Sequence, residues 1–206
     1  MLPFARPSSF QITPSTPSLV TYAEGISPKH TLNVHDLDGQ GKEWTVQGSV
    51  SKVSIYNSKD LTLRLPGRII TSTIEIWKTT NLKLIVGTAS QDSSNRLGTL
   101  QLDPTLTNVD ISFPNPSIIG KIVLAPLLSD DKTSFGFKGL RIRAGEGGEV
   151  LEVADDDGNL FDPQEGVKIR PSQTLPAQLI LSFNEESGKW KMEGLERGAM
   201  DYPIMS

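Results

Sequence analysis

The sequence predicts an all-β chain: a short right-handed parallel β-helix with a C-terminal antiparallel β meander or hairpin as its cap. The first observation behind this is a pattern repeated in one phase. It runs Val53-Ser54-Ile55-Tyr56-Asn57 to Leu61-Thr62-Leu63, Thr73-Ile74-Glu75-Ile76-Trp77 to Leu82-Lys83-Leu84, and Thr99-Leu100-Gln101-Leu102-Asp103 to Val109-Asp110-Ile111. Ile55, Ile76 and Leu102 lie 21 and 26 residues apart, and Leu61, Leu82 and Val109 lie 21 and 27 apart. The second observation is strict alternation inside each unit. Side chains alternate across a strand, so Ile74, Ile76, Leu82 and Leu84 face one side while Glu75, Trp77 and Lys83 face the other. The third is the form of the unit: strand, polar corner, strand. So small a unit cannot bury its apolar face alone, but stacked units share a continuous core. The inward set is therefore Val53, Ile55, Leu61, Leu63, Ile74, Ile76, Leu82, Leu84, Leu100, Leu102, Val109 and Ile111.

Residues 1–30 read as a tail or linker. Prolines 3, 7, 14, 17 and 28 sit among serines and threonines, and the apolar residues keep no period. Phe4, Phe10 and Val20 are the residues able to anchor it. Residues 31–133 are the repeat region, about four coils. Leu32 and Val34 alternate, then His35-Asp36-Leu37-Asp38-Gly39-Gln40-Gly41 turns the chain before Trp44-Thr45-Val46. Pro66-Gly67 and Gly87 punctuate later corners, and Ser90 to Arg96 lengthen one of them. Residues 134–206 read as a meander that caps the stack, with Leu140-Arg141-Ile142-Arg143, Glu149 to Val153, Val167 to Arg170 and Gln178 to Phe183 as strands. Asn184-Glu185-Glu186-Ser187-Gly188 is the turn into Lys189-Trp190-Lys191-Met192. A stack of coils has an open edge, and a cap protects it from aggregation.

Composition limits the function classes. The 206 residues carry 36% apolar and 21% charged side chains, enough for one core with an elaborated end. A net charge of −4 and the lack of a basic cluster argue against nucleic acid. No apolar run reaches the ~18 residues of a membrane helix, and prolines interrupt the first 20 residues where a signal peptide would need an apolar stretch. Zero cysteine excludes disulfides and thiolate sites, so a cytoplasmic location is the default expectation.

Glu43-Trp44-Thr45-Val46, the stretch Val53 to Leu61, the stretch Ile74 to Leu82, and Leu97-Gly98-Thr99-Leu100-Gln101-Leu102-Asp103 together carry a resemblance. Over about residues 40–130 the chain resembles the C-terminal β-helical domain of cyclase-associated proteins, related to the domain of tubulin-binding cofactor C. The resemblance implies a module that binds actin monomers and dimerises by exchanging a C-terminal β-hairpin. Three features depart from the family. Asn57, Thr79 and Thr107 stand where cysteines are common, Gly194 to Pro203 do not match its threonine-rich dimerising strand, and its helical N-terminal domain has no counterpart. Arg64 and Arg68 lack the context of the cofactor C arginine finger, so GTPase activation is not carried over.

In register, Tyr56 lies beside Trp77, then Asp103; Ser54, Glu75 and Gln101 form a second row, and Thr62, Lys83 and Asp110 a third. Tyr56 and Trp77, ~5 Å apart on an outward face, suggest a partner surface or a sugar platform. The bland alternative is that the tail or the meander covers them. Lys59, Lys78 and Lys83 fall on one side of the stack and offer a basic rim, or simply a solvated face. Asp155-Asp156-Asp157-Gly158-Asn159 with Asp162 has some calcium-loop spacing, but no glutamate at the closing position, so a turn is expected and no metal. No cofactor motif, nucleophile elbow or histidine pair occurs, and His30 and His35 are the only histidines. The expectation is a non-catalytic protein-binding module, with actin as the implied partner and a homodimer through the C-terminal hairpin. The alternatives are a carbohydrate-binding β-helix and a small polysaccharide-active enzyme.

Overall fold

The computed structural model describes residues 9–21, 27–127, 134–170 and 175–195. Successive strand pairs wind as coils: β1 (Ser9–Gln11) and β2 (Leu19–Val20), β3 (Thr31–His35) and β4 (Asp38–Val46), β5 (Lys52–Tyr56) and β6 (Lys59–Leu65). β7 (Thr73–Trp77) and β8 (Thr79–Val86), β9 (Thr99–Leu102) and β10 (Leu106–Phe113), then β11 (Lys121–Leu124) and β12 (Phe137–Ala144) follow. The odd strands β1 to β11 pair in parallel as sheet A, and the even strands β2 to β12 as sheet B. β13 (Val150–Ala154), β14 (Leu160–Asp162) and β15 (Val167–Ile169) extend sheet B in antiparallel fashion. The hairpin β16 (Leu179–Asn184) and β17 (Lys189–Gly194) extends sheet A in the same way. The chain is an all-β solenoid of about five turns with C-terminal antiparallel strands.

The core lies between the two sheets and is built in columns. Val34, Ile55, Ile76, Leu102, Leu124 and Leu179 are successive register partners in sheet A; Trp44, Leu63, Leu84, Ile111 and Ile142 are their counterparts in sheet B. Every residue in these two columns is at most 4% exposed. Burying an aliphatic side chain is worth roughly 1.5–3 kcal/mol, so each added coil contributes several such increments to one continuous core. All twelve residues expected to point inward do so, none above 3% exposure.

The stack is longer than the repeat alone indicated. Residues 9–20, expected as part of a tail or linker, supply the leading coil: Ser9, Phe10 and Gln11 pair with Thr31, Leu32 and Asn33, and Leu19 and Val20 with Thr45 and Val46. Trp44 fixes the link between them, since its fully buried indole donates its N–H to the Thr16 carbonyl at 3.1 Å. Ile12 and Val20 enter the core and Phe10 packs against it, whereas Phe4 lies outside the described residues. At the other end, Leu140 to Arg143 were expected in the meander. They belong to β12, which pairs in parallel with β10, so the antiparallel part begins one strand later.

The corner from sheet A to sheet B is short because two residues in each coil take the left-handed conformation. Asp36, Asn57 and Lys78 do so on leaving sheet A, with φ of 53, 48 and 49°. Asp60, Asn81 and Asn108 do so on entering sheet B, with φ of 54, 52 and 53°. Asp and Asn tolerate this region better than other residues with a Cβ. Here their side chains also join coil to coil. Asn57 Nδ2 donates to Asp36 Oδ1 at 2.6 Å, Asn81 Nδ2 to Asp60 Oδ1 at 2.6 Å, and Asn108 Nδ2 to Asn81 Oδ1 at 3.0 Å. Between the two positions, buried Ser58 and Thr79 bond to main-chain groups, Thr79 Oγ1 donating to the Trp77 carbonyl at 2.9 Å.

Candidate functional site

The polar side of sheet A carries one run of rings. His35, Tyr56 and Trp77 are successive register partners at the ends of β3, β5 and β7. The ring centroids of Tyr56 and Trp77 are 4.9 Å apart, tilted by 33°. His35 meets Tyr56 edge-on at 6.0 Å and reaches Trp77 at 6.2 Å. Strand pairing sets this geometry, since neighbouring strands run ~4.8 Å apart. His35 Nε2 lies 2.9 Å from Ser54 Oγ, which anchors the imidazole on the next strand. Lys78, the left-handed residue after Trp77, places its ammonium 5.5 Å from the Tyr56 ring centroid, within cation–π range. All three rings are partly exposed. The ring-to-ring contacts of these three residues are with one another, among the described residues.

The polar row beside the rings is equally ordered. Lys52 Nζ pairs with Glu75 Oε1 at 2.6 Å, and Gln101 Nε2 donates to Asp103 Oδ1 at 2.9 Å. Asp103 follows Trp77 in the same outward row, because its N–H donates to the Ile76 carbonyl and so continues the β7–β9 ladder.

Of the three lysines expected on one side of the stack, Lys59 and Lys78 line a common groove at the corner with Asp38, Asn57 and Thr80, and Lys83 stands apart. Lys78 turns onto the rings of sheet A. Lys59 sits at the corner, paired with Asp38 at 2.9 Å; that contact lowers the Asp38 pKa and raises that of Lys59. Lys83 stands on the outer face of sheet B. There it lines an open groove of about 510 Å³ with Asp60, Asn81, Asn108 and Asp110. The Thr62, Lys83 and Asp110 row forms as expected, extended by Glu43 and Arg141. His35 is the member that the sequence reading did not place in the site. Its signal was present, for residues 35, 56 and 77 share the 21-residue period.

The Asp155 turn is held by its own hydrogen bonds. Asp155 Oδ1 accepts from the N–H groups of Asp157 and Asn159 at 3.1 and 2.9 Å; Oδ2 accepts from Asn159 Nδ2 and Lys168 Nζ, each at 2.8 Å. Partial burial pushes its pKa up, but the bonds from Lys168 and Asn159 outweigh this and hold it far below the usual carboxylate range. A carboxyl with a lowered pKa stabilises the fold above its unfolded value of ~3.9 and loses that contribution as pH falls through the folded value. Asp155→Asn should therefore cost about 1.5 kcal/mol at pH 7. The gap from the parent should close progressively below about pH 4. Thermal unfolding of both proteins from pH 7 to pH 2 checks this; a gap independent of pH contradicts it.

No protein-family profile, no curated protein and no solved structure matches the chain. Fold and site together define its class: a β-solenoid of about five turns with an ordered aromatic row on one sheet. These comparisons assign it to no family.

Proposed function

We propose that the chain is a non-catalytic protein-binding module whose partner seats on His35, Tyr56 and Trp77. The observation that carries the reading is the alignment of three partly exposed rings on parallel strands of one sheet. Aromatic side chains held rigidly in this way lose little entropy on binding and commonly supply most of an interface's energy. The resemblance to cyclase-associated proteins makes the actin monomer the first partner to titrate. Trp77→Ala should weaken binding of that partner by at least tenfold, about 1.4 kcal/mol or more, while the urea midpoint moves little. Calorimetric titration with both proteins checks it. If actin does not bind, or if Trp77→Ala binds as tightly as the parent, this assignment is wrong.

A carbohydrate platform is the second reading. It is favoured by the amide and carboxylate groups of Gln101 and Asp103 in the rows beside the two stacked rings. A glycan array separates it from the first. We also propose a homodimer through the C-terminal hairpin, because among the described residues β17 is the terminal strand of sheet A and pairs with β16 alone. Light scattering of the whole chain should give twice the monomer mass, and a monomer mass rejects it.

A further inference from the structure

We propose that the partner meets the Trp77 end of the row with an arginine, its guanidinium stacked on the indole and bonded to Asp103. This rests on the protein-binding reading and adds the chemistry of the contact. The rings converge: the centroid of Trp77 lies 6.2 Å from that of His35, although β5 runs between their strands and two strand spacings are ~9.6 Å. One side of the indole is occupied by Tyr56 at 4.9 Å, and β9 with Asp103 is the next strand on its other side.

Charge selects what fits there. Glu75, on the same outward face two residues before Trp77, is neutralised by Lys52 at 2.6 Å. Asp103 has a neutral partner, Gln101, and no basic group lies within ion-pair distance of it among the described residues. Among the described residues the row therefore runs from an aromatic ring to a carboxylate with no basic partner. An apolar side chain laid on Trp77 would desolvate that carboxylate without pairing it, and an acidic one would be repelled. A lysine could pair with Asp103 only as a point charge. A guanidinium is planar, stacks on an indole and presents N–H groups at its edge, so one group can use both features. The chain already uses the same attraction internally, where the Lys78 ammonium lies over Tyr56. With that ring face taken, Trp77 is the ring left for a partner's cation.

Selection of displayed random peptides on the immobilised full chain tests the proposal, with binding then measured for the parent, Trp77→Ala and Asp103→Asn. Asp103→Asn keeps the shape and an acceptor for Gln101, so its fold should be unaffected. The expected result is enrichment of arginine, with about a tenfold loss of affinity on replacing that arginine by the neutral isostere citrulline. Asp103→Asn should bind the arginine and citrulline peptides equally. Peptides that need Trp77 but show no preference for arginine over citrulline overturn the arginine contact and leave the protein-binding reading standing. A selection that yields no peptide dependent on Trp77 overturns both.

Discussion

Replacing Ile76 by Asp leaves the chain without a cooperative unfolding transition at 25 °C, while replacing Glu75 by Lys barely shifts it. The two residues are neighbours on β7 and differ in the face they occupy. Ile76 is fully buried between Ile55 and Leu102 in the central column of sheet A. Asp there forfeits roughly 1.5–3 kcal/mol of apolar burial. It also places a carboxyl between two sheets with no donor intended for it, costing several kcal/mol more even if it takes up a proton. Domains of this size have about 5–15 kcal/mol in total, so one such change consumes most of the margin. The lesion also sits mid-stack, where it separates the coils on either side. Glu75 points outward with its side chain 32% exposed and loses one ion pair with Lys52. Such pairs are worth about 1 kcal/mol at most. Circular dichroism during urea titration distinguishes the two. Equal midpoints for both variants would mean that the register described for β7 is wrong.

That register was legible in the sequence because alternation and coil period carry separate information. Alternation says which residues share a face, and the 21-residue spacing says which coils lie next to each other. Together they placed the twelve inward residues and brought Tyr56 beside Trp77. They could not place the leading coil. β1 has three residues and β2 two, too few for alternation to show, and Trp44 holds them through a main-chain carbonyl that leaves no pattern. They also left the direction of β12 open. Leu140-Arg141-Ile142-Arg143 alternates equally well in a parallel or an antiparallel strand, and Leu140 lies 31 residues after its partner Val109, outside the 21-residue period. The lysines show a different limit. Lys78 and Lys83 are close in sequence, but the left-handed residues Lys78 and Asn81 turn the chain between them onto a second sheet. Closeness along the chain at a corner does not mean a shared face.

The corner loops on the far side, from sheet B back to sheet A, are where a single methyl group should do the most damage. A Cβ built on Gly120 would lie 1.5 Å from the Leu97 carbonyl oxygen and 2.9 Å from that of Gly98. On Gly67 it would lie 1.7 Å from the Gly48 carbonyl oxygen. Neither glycine has a positive φ, so what each supplies is closeness: backbone passes against backbone as one coil descends onto the next. The obstacle cannot swing aside as a side chain would. Leu97 N–H donates to the Ile118 carbonyl at 2.8 Å and Lys121 N–H to the Gly98 carbonyl at 3.1 Å, so relief of the clash must pull both bonds apart. Gly120→Ala should therefore destabilise the chain by about 3 kcal/mol or more. Gly147 is the matched comparison. A Cβ there meets nothing within 4 Å, and its φ of +69° leaves only the left-handed penalty, about 1–2 kcal/mol. Urea midpoints of Gly120→Ala and Gly147→Ala decide the matter. If Gly147→Ala proves equally damaging, close coil contact is not what demands glycine at position 120.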